Sequence, residues 1–265
     1  MGIITSMKAG SAKITFPIYD KYAPFYAANE LYGNFARQMS VDILAYLRQK
    51  EFHPQRALDV ACGCGTALAA FAKNGIEAVG VDASAAMLSE AIATTIGHEK
   101  PVPLYHQDMR RLDLVDEGPF DLITCMYDSV NYLLTERELG QMFARVDELL
   151  QPHGYFIFDI ATIYGLAISF NAPLAVINGN RHTEYHEATF HFSNMLWIKT
   201  VTCVAPTNAD WTTFSEEHVE KAFSLPAVEA QLEKSGLELA AVYGPRFAAP
   251  SLTDSRSILV CRPCQ

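Results

Sequence analysis

The chain lacks the features that would place it in a membrane or outside the cell. No apolar run reaches the ~18 residues that a membrane-spanning helix needs, and the N-terminus has no secretory layout of charge, apolar core and cleavage site. The six cysteines are scattered without the spacing of a disulfide framework. Because free thiols persist in reducing compartments, we expect a cytoplasmic protein without a membrane anchor.

Basic residues are also scarce. Lys and Arg number 20 against 30 Asp and Glu, which gives a formal net charge of −10. Proteins that bind nucleic acids usually present a basic face to the phosphates, and the adjacent basic pair Arg110-Arg111 stands next to acids. This balance argues against RNA or DNA as the partner. It favours a small-molecule acceptor, with an amine as one option because acidic clefts attract cations.

The sequence also lacks a convincing metal-ligand pattern. Cys62 and Cys64 have a Cys-x-Cys spacing but no histidine cluster beside them, and small side chains suit the glycine turn in which they stand. Cys261 and Cys264 form a single pair of ligands, which cannot close a zinc site. We therefore predict no bound metal.

What the sequence does contain is a long stretch in which strands and helices alternate. Residues 56–160 have this pattern, which is typical of a parallel sheet with right-handed crossovers. Residues 1–55 precede it and predict an N-terminal helical cap, since apolar side chains recur at helical spacing over residues 31–50.

The remainder of the chain changes character. Residues 161–225 predict an insertion that begins with an irregular stretch over 171–180 and continues as antiparallel strands of alternating polarity. Residues 226–265 predict a helix and two closing strands of the core sheet. The apolar insertion leaves a homodimer open as one oligomeric state.

Residues 56–75 are the most informative segment. An apolar run ends at Asp59, a turn with Gly63 and Gly65 follows, a helical pattern begins, and a second apolar run ends at Asp82. The glycines permit positive φ and leave no Cβ in the way of a ligand. The free N–H groups of the helix favour an anionic group at the turn. The spacing to Asp82 suits an acid that accepts hydrogen bonds from ribose hydroxyls.

Two nucleotide-binding patterns do not fit this turn. The dinucleotide fingerprint requires Gly or Ala where Leu68 stands, and the phosphate-binding Walker pattern requires a Lys after the glycines. On the turn alone, an ordinary tight turn of an α/β protein stays open as the alternative.

The pattern Asp59-x-Ala61-x-Gly63-x-Gly65 resembles motif I of class I S-adenosylmethionine-dependent methyltransferases, where glycine usually stands in place of Ala61. Four further segments follow in the order of that family: residues 80–88, 104–114, 119–133 and 149–160. The resemblance implies an α/β fold, with a Rossmann-like, mostly parallel seven-stranded sheet. It also implies S-adenosyl-L-methionine as cofactor and S-adenosyl-L-homocysteine as product.

The resemblance also implies roles for individual residues. Asp82 binds the ribose, Met87 flanks the adenine, Asp108 accepts from the adenine amino group, and the Met109 backbone meets the ring. The full set of implied cofactor-binding residues is Tyr19, Asp59, Ala61, Gly63, Gly65, Asp82, Ala83, Met87, Asp108, Met109 and Met126.

A narrower resemblance concerns the acceptor. Residues 19–36 resemble the opening of small-molecule methyltransferases, where a Tyr-Asp-x-x-Ala element folds over the cofactor. The insertion and the loop over residues 127–133 are similar to those of sugar N,N-dimethyltransferases. The implied reaction is in-line methyl transfer to an N or O atom of a small molecule. A tRNA or rRNA methyltransferase and a non-catalytic S-adenosylmethionine-binding protein stay open as alternatives.

Tyr127, Asp128 and Tyr19 are the catalytic candidates. Tyr19 matches the element that folds over the cofactor, and Tyr127 follows the fourth strand, where such folds place substrate contacts. Asp128 has two interpretations: a base or counter-charge for an amine, or a helix N-cap. An amine nucleophile needs only to be neutral, whereas a hydroxyl needs a general base.

Other polar side chains have two interpretations as well. Tyr22 and Tyr26, four residues apart, belong either to the wall of the site or to one buried helix face, and Tyr132 is a further wall candidate. Asp159 binds substrate or caps the next turn. His182 and His186 share a strand face, as a base or metal site or as solvated side chains.

Overall fold

The computed structural model describes residues 18–97, 101–171, 174–178, 182–206 and 210–264. The first 17 residues of the predicted cap, and residues 172–173 and 179–180 of the predicted irregular stretch, lie outside the described residues. The helices are α1 Ala23–Ala28, α2 Glu30–Gln49, α3 Thr66–Lys73, α4 Ala85–Thr95, α5 Glu136–Leu149 and α6 Leu225–Lys234. The strands are β1 Arg56–Val60, β2 Glu77–Asp82, β3 Leu104–His106, β4 Phe120–Cys125, β5 Leu150–Ala161, β6 Ala175–Asn178, β7 Thr183–His191, β8 Leu196–Pro206, β9 Trp211–Lys221, β10 Leu237–Tyr243 and β11 Arg256–Pro263.

The main sheet has the predicted α/β architecture. Within the described residues, seven strands pair in the order β10-β11-β5-β4-β1-β2-β3. The strands from β5 to β3 in that order are parallel, whereas β11 is antiparallel to both β5 and β10. The order reverses between β1 and β4, so the carboxyl ends of these strands flank the crevice where open α/β sheets bind ligands.

Helices cover both faces of this sheet because its strands are apolar on both sides. Phe156 and Phe158 of β5 pack in one buried cluster with α5 and α6, while Ile157 between them packs with α2 and α3 on the other face. Such two-sided burial is typical of parallel sheets. The helix predicted over residues 31–50 is confirmed as α2, and its first turn is capped by the Asn29 side chain, which accepts from Leu31 N at 3.1 Å.

The insertion forms a second sheet, with the antiparallel order β6-β7-β8-β9. The strands predicted from alternating polarity are confirmed as β7, β8 and β9. The prediction of an irregular stretch was wrong for residues 175–178, which form β6 and pair with β7. The short run Val176-Ile177 is β-branched and suits a strand, but it is too short to stand out beside its Asn-, Gly- and Pro-containing flanks.

No helix in the described part of the chain is both long and apolar enough to cross a bilayer.

Asn131 joins the two sheets to the loop after β4. Its side-chain oxygen accepts from Ala161 N at 2.9 Å, and its Nδ2 donates to Ala161 O at 3.1 Å and to Lys221 O at 2.9 Å. Asn131 and Ala161 are fully buried and Lys221 is half-buried, so the backbone groups of Ala161 have no access to water. The ends of β5 and β9 are therefore held together through one amide side chain.

We expect Asn131→Ala to lower the free energy of unfolding by about 3 kcal/mol, because buried backbone groups lose their partners. Asn74→Ala is the matched control, since the Asn74 amide donates to Ala70 O at 2.8 Å in an exposed position, and it should change stability by less than about 0.5 kcal/mol. Urea unfolding measures both. Equal, small effects of the two substitutions would contradict this account of Asn131.

Candidate active site

A cavity of about 550 Å³ lies at the carboxyl ends of β1, β2 and β4, beneath the cap. The structure brings most of the predicted site residues together around it. The predicted residues that line the cavity are Tyr19, Asp59, Ala61, Gly63, Asp82, Ala83, Met87, Asp108, Met109, Met126 and Tyr127. Gly65 and Asp128 belong to the predicted set but do not line it.

The turn after β1 explains the difference between the two glycines. Gly63 has φ +53°, and a Cβ built on it would meet no atom within 4 Å. Gly65 has φ +77°, and its Cβ would lie 3.0 Å from the Cβ of Ala91 in α4. Gly63 therefore leaves room beside the cavity, whereas Gly65 lets α3 and α4 pack closely. Ala61 also has a positive φ, 56°, at a cost of about 1 kcal/mol relative to glycine.

Two carboxylates stand at the strand ends. Asp82 accepts from Gly63 N and from Ser84 N, both at 2.8 Å, so it closes the turn after β1 onto the end of β2. Asp59 accepts from Thr124 Oγ1 at 2.6 Å. Burial raises the pKa of Asp59 to about 7, an effect that the Thr124 hydrogen bond opposes and the charge of Asp82 reinforces. This end of the cavity therefore favours a cationic or hydrogen-bond-donating ligand.

Asp108 lies at the other wall of the cavity, at the start of the short turn after β3. Its carboxylate accepts from Arg110 N and from Arg110 Nε, both at 2.9 Å. These hydrogen bonds lower the pKa of Asp108. Arg110 also pairs with Glu138. The predicted adenine acceptor is thus an ionised carboxylate whose position is set by Arg110, next to Met109 and the buried Met87.

The loop after β4 has an unusual backbone. Tyr127 and Asp128 both have positive φ, 64° and 53°, which costs non-glycine residues about 1 kcal/mol each. Asp159 accepts from Asp128 N at 3.2 Å, and Ser129 Oγ donates to Met126 O at 2.8 Å. These contacts hold the loop so that Met126 and Tyr127 face the cavity.

The geometry gives Asp128 a role that differs from both predicted ones. It stands at the start of the short helical turn Ser129–Tyr132, but its side chain makes no capping hydrogen bond. Because of the left-handed backbone, its carboxylate meets the guanidinium of Arg256 at 2.9 Å, and Arg256 also binds Asp159 at 2.8 Å. Asp128 is therefore an ion-pair partner behind the loop. Asp159 accepts from the backbone N–H of Asp128 in the same loop and is the second ion-pair partner of Arg256.

Arg256 was not identified from the sequence. Its guanidinium lies 4.9 Å from the ring centre of Tyr127 and 5.0 Å from that of Phe35. Burial alone would lower the pKa of Arg256, but the charges of Asp128 and Asp159 outweigh burial and raise it. The cation is thus permanently charged and offsets one of the two negative charges that Asp128 and Asp159 would carry.

The cap contributes an aromatic wall. Tyr19, Tyr26 and Tyr32 line the cavity beside Tyr127 and Tyr132. The Tyr26 prediction is resolved in favour of the wall. The prediction of Tyr22 as a wall residue was wrong: one turn earlier in the helix, it is buried and does not line the cavity, because its hydroxyl donates to Glu184 Oε2 at 2.5 Å.

His182 and His186 share one strand face, as predicted, but they are not solvated. Both rings bind the intervening Glu184, His182 Nε2 at 2.7 Å and His186 Nε2 at 2.8 Å. Burial tends to raise the pKa of Glu184, but hydrogen bonds from His186, Tyr22 and His182 outweigh it and lower the pKa to about 2. The carboxylate is thus an anchor for the cap, and the described residues contain no cluster suited to a metal ion.

His218 of β9 was also not identified from the sequence. Its Nδ1 lies 2.9 Å from the Tyr132 hydroxyl, which lies 3.2 Å from the Tyr19 hydroxyl. Burial, reinforced by the charges of Lys199 and His186, lowers the pKa of His218 to about 3. The sequence signal for this residue was a row of polar residues at alternate positions, Glu216, His218 and Glu220. All three lie on the buried face of β9.

Arg256→Met should lower the unfolding free energy by about 3–5 kcal/mol at pH 7, because it leaves two buried carboxylates without a cation. The pKa of Asp159 is already raised by burial, and it rises further without Arg256. The folded variant then binds more protons than the unfolded chain, so acidification stabilises it, and the deficit relative to wild type shrinks from pH 7 to pH 5.

Arg246→Met is the control, because Arg246 is exposed and its pairing with Asp42 at 3.4 Å is a surface contact. It should cost less than about 1 kcal/mol. Denaturant unfolding of wild type and both variants at pH 7 and pH 5 measures the loss of unfolding free energy that each substitution causes at each pH. A pH-independent deficit in the Arg256 variant would count against the ion-pair account.

Comparison with known proteins agrees with the geometry. Residues 57–154 match a family model described as a methyltransferase domain. A protein of Geobacillus sp. (strain WCH70), provisionally assigned as a methyltransferase, is 28% identical over 78% of this chain and 84% of its own length. A Streptomyces venezuelae protein, dTDP-3-amino-3,4,6-trideoxy-alpha-D-glucopyranose N,N-dimethyltransferase, is 33% identical over 53% of this chain and 55% of its own.

A solved structure has the same fold. The S-adenosylmethionine-dependent methyltransferase from Clostridium acetobutylicum superposes with a TM-score of 0.81 at 24% identity, covering 94% of this chain and 100% of that protein. The motifs around the cavity, the matched domain and these relatives point to one conclusion. The chain contains a methyltransferase domain of the S-adenosylmethionine-dependent kind.

Proposed function

We propose that the chain transfers the methyl group of S-adenosylmethionine to a nitrogen or oxygen atom of a small-molecule acceptor, and that the acceptor is an amine. The observation that carries this proposal is the cavity itself: acids at the strand ends on one side, a tyrosine wall on the other, and the cap above. A cavity of about 550 Å³ lined by three acids suits a small acceptor, whereas a nucleic acid needs a basic groove.

The residues around the cavity fit the cofactor. The open space at Gly63, where a Cβ would meet no protein atom, is where the methionine end would approach the turn, with Asp59 beside its cationic groups. Asp82 has lone pairs beyond those that bind Gly63 N and Ser84 N, and these would accept from the ribose. Met87 and Met109 would enclose the adenine, with Asp108 accepting from its amino group.

The tyrosine wall would then meet the reacting end. S-adenosylmethionine supplies an activated methyl group: the acceptor's lone pair forms the new bond while the S–CH₃ electron pair stays on sulfur. Tyr19, Tyr127 and Tyr132 would position the acceptor and exclude water, which are effects worth on the order of 7–11 kcal/mol in well-oriented reactions. A neutral amine needs no base before it attacks, and its product ammonium loses a proton to solvent.

The choice of an amine rests on two observations. The acids that line the cavity, Asp59, Asp82 and Asp108, outnumber its one lining arginine, Arg110, whose charge Asp108 and Glu138 already offset. Relatives that methylate amines include the Streptomyces venezuelae aminosugar dimethyltransferase and a glycine/sarcosine N-methyltransferase of Aphanothece halophytica.

The homodimer expected from the insertion stays a prediction. Exposed apolar side chains in the insertion, Phe192 in the turn after β7 and Trp211 of β9 among them, are the surface that such a dimer would cover. Sedimentation equilibrium across a range of protein concentrations measures the mass directly, and a monomer at every concentration would contradict the prediction.

Gly63→Ala should weaken S-adenosylhomocysteine binding by about tenfold or more, because the new Cβ enters the space that the cofactor needs. Gly75→Ala is a matched control: Gly75 also has a positive φ, 77°, and open space around its Cβ position, but it lies outside the cavity. Both substitutions carry similar backbone strain, so thermal unfolding should shift alike. Calorimetric titration measures the affinities, and equal affinities of the two variants would contradict the proposed cofactor position.

Incubation with methyl-labelled S-adenosylmethionine tests the acceptor class. We expect methylation of members of a panel of aminosugar nucleotides and small amino acids, and none of bulk tRNA or rRNA. A basic nucleic-acid site would instead bind RNA with an affinity that falls steeply as salt is added. Transfer of the labelled methyl group to RNA, or RNA binding with that salt dependence, would overturn the small-molecule proposal.

A further inference from the structure

Three side chains from distant parts of the chain form a continuous hydrogen-bonded relay at the tyrosine wall. The Tyr19 hydroxyl lies 3.2 Å from the Tyr132 hydroxyl, which lies 2.9 Å from His218 Nδ1. Tyr19 and Tyr132 line the cavity, whereas His218 is fully buried. The relay therefore begins at the cavity surface and ends inside the second sheet.

Strand β9 determines where Tyr19 lies. Glu216, two residues before His218 on the same face, accepts from Tyr19 N at 2.8 Å, from Lys21 N at 2.9 Å and from Tyr22 N at 3.0 Å. The ring centres of Tyr19 and His218 are 5.0 Å apart in an edge-to-face arrangement. The same strand thus holds the backbone of Tyr19 through Glu216 and its hydroxyl through His218 and Tyr132.

The chemistry of phenol and imidazole determines which group donates in each hydrogen bond of the relay. A phenol is a better proton donor than a neutral imidazole N–H, and an imidazole nitrogen is a better acceptor than a phenol oxygen. The Tyr132 hydroxyl therefore donates to His218 Nδ1. Its oxygen is then free to accept from the Tyr19 hydroxyl, which leaves the lone pairs of the Tyr19 oxygen facing the cavity.

His218 cannot itself serve as the base. Burial holds its pKa at about 3, far below that of an alkylammonium product, so a proton would move to it only against a large difference in basicity. The same burial keeps the ring neutral, and only a neutral ring has the lone pair that Tyr132 needs. The ring can orient the hydroxyls without accepting their protons.

We propose that His218 is a positioning residue that turns the Tyr19 oxygen toward the cavity as a hydrogen-bond acceptor for the N–H of the methyl acceptor. This inference rests on the proposed function. Among the amines already proposed as acceptors, it selects those that carry a hydrogen next to the attacking lone pair, that is, primary and secondary amines. The N–H would point to Tyr19 while the lone pair points to the methyl carbon.

Sinefungin tests the relay without knowledge of the acceptor, because it carries an amine where S-adenosylmethionine carries the methyl sulfonium. S-adenosylhomocysteine has no group at that position. The ratio of their dissociation constants, S-adenosylhomocysteine over sinefungin, therefore reports the amine-binding capacity of the tyrosine wall. Calorimetry on the full chain measures both constants.

Tyr19→Phe and His218→Leu should each lower this ratio about tenfold, the size expected for a lost hydrogen bond to a charged group, with S-adenosylhomocysteine affinity changed by less than about threefold. His218→Asn places an amide oxygen near the Nδ1 position and should restore the ratio. Tyr132→Phe combined with His218→Leu should cost no more than either alone, because both break the same relay. Tyr185→Phe, an exposed residue on the other face of β7, is the control.

His218→Leu should fold, because it also removes the buried Nε2, for which the described residues offer no hydrogen-bond partner. The Asn variant provides the second check. Wild-type protein that binds neither compound would contradict the proposed function itself. Wild-type protein that binds both, with a ratio unchanged or raised in the His218→Leu variant or unrestored by Asn, would overturn the positioning role alone.

Discussion

The conformation of the loop after β4, which faces the cavity, depends on one buried cation, Arg256. Tyr127 and Asp128 both have left-handed backbones, a conformation that an isolated peptide would leave. The pairing of Arg256 with Asp128 and Asp159 outweighs that preference, because separating these charges inside the protein would cost several kcal/mol, against about 1 kcal/mol for each strained residue. Arg256 lies in β11, near the end of the chain, so the shape of the loop is set only when the main sheet is complete.

A second set of buried charges attaches the cap. Helix α1 has six residues and could not form alone in water. Glu216 accepts from three backbone N–H groups around its start, and Glu184 accepts from the hydroxyls of Tyr22 and Tyr32. Hydrogen bonds are directional, whereas apolar packing tolerates sliding. This attachment therefore holds the cap in one register over the cavity, and Tyr19 with it.

The parts of the site that could be predicted are those whose partners lie close in sequence. The turn after β1, with Gly63, and the acid that closes it, Asp82, are 19 residues apart, and a local pattern reveals both. Asp128 and Arg256 are 128 residues apart, and Tyr19 and Glu216 are 197 apart. The first contact needs the complete main sheet and the second needs the cap to meet strand β9 of the second sheet, which no local periodicity encodes.

Strand β9 shows what the periodicity of a sequence leaves undetermined. Its alternation of polar and apolar residues indicates a strand but not which face is buried. The usual assumption places Val219 inward and the charged residues in water. In the structure Glu216, His218 and Glu220 are buried, and the cap and the loop after β4 supply hydrogen-bonding partners to Glu216 and His218. The alternation predicted the element correctly, and the chemistry of its neighbours decided the orientation.

The distribution of charge in the cavity also bears on the direction of the proposed reaction. Asp59 is buried, Asp82 is half-buried, and burial raises the pKa of both. In the proposed reaction a sulfonium cofactor would bring a positive charge to these acids, whereas its neutral thioether product would not. With an amine acceptor, the positive charge would move from sulfur to nitrogen, that is, from the strand ends toward the oxygen of Tyr19. The acids would therefore favour the charged cofactor over the spent one, and the tyrosine wall would stabilise the charge where it arrives.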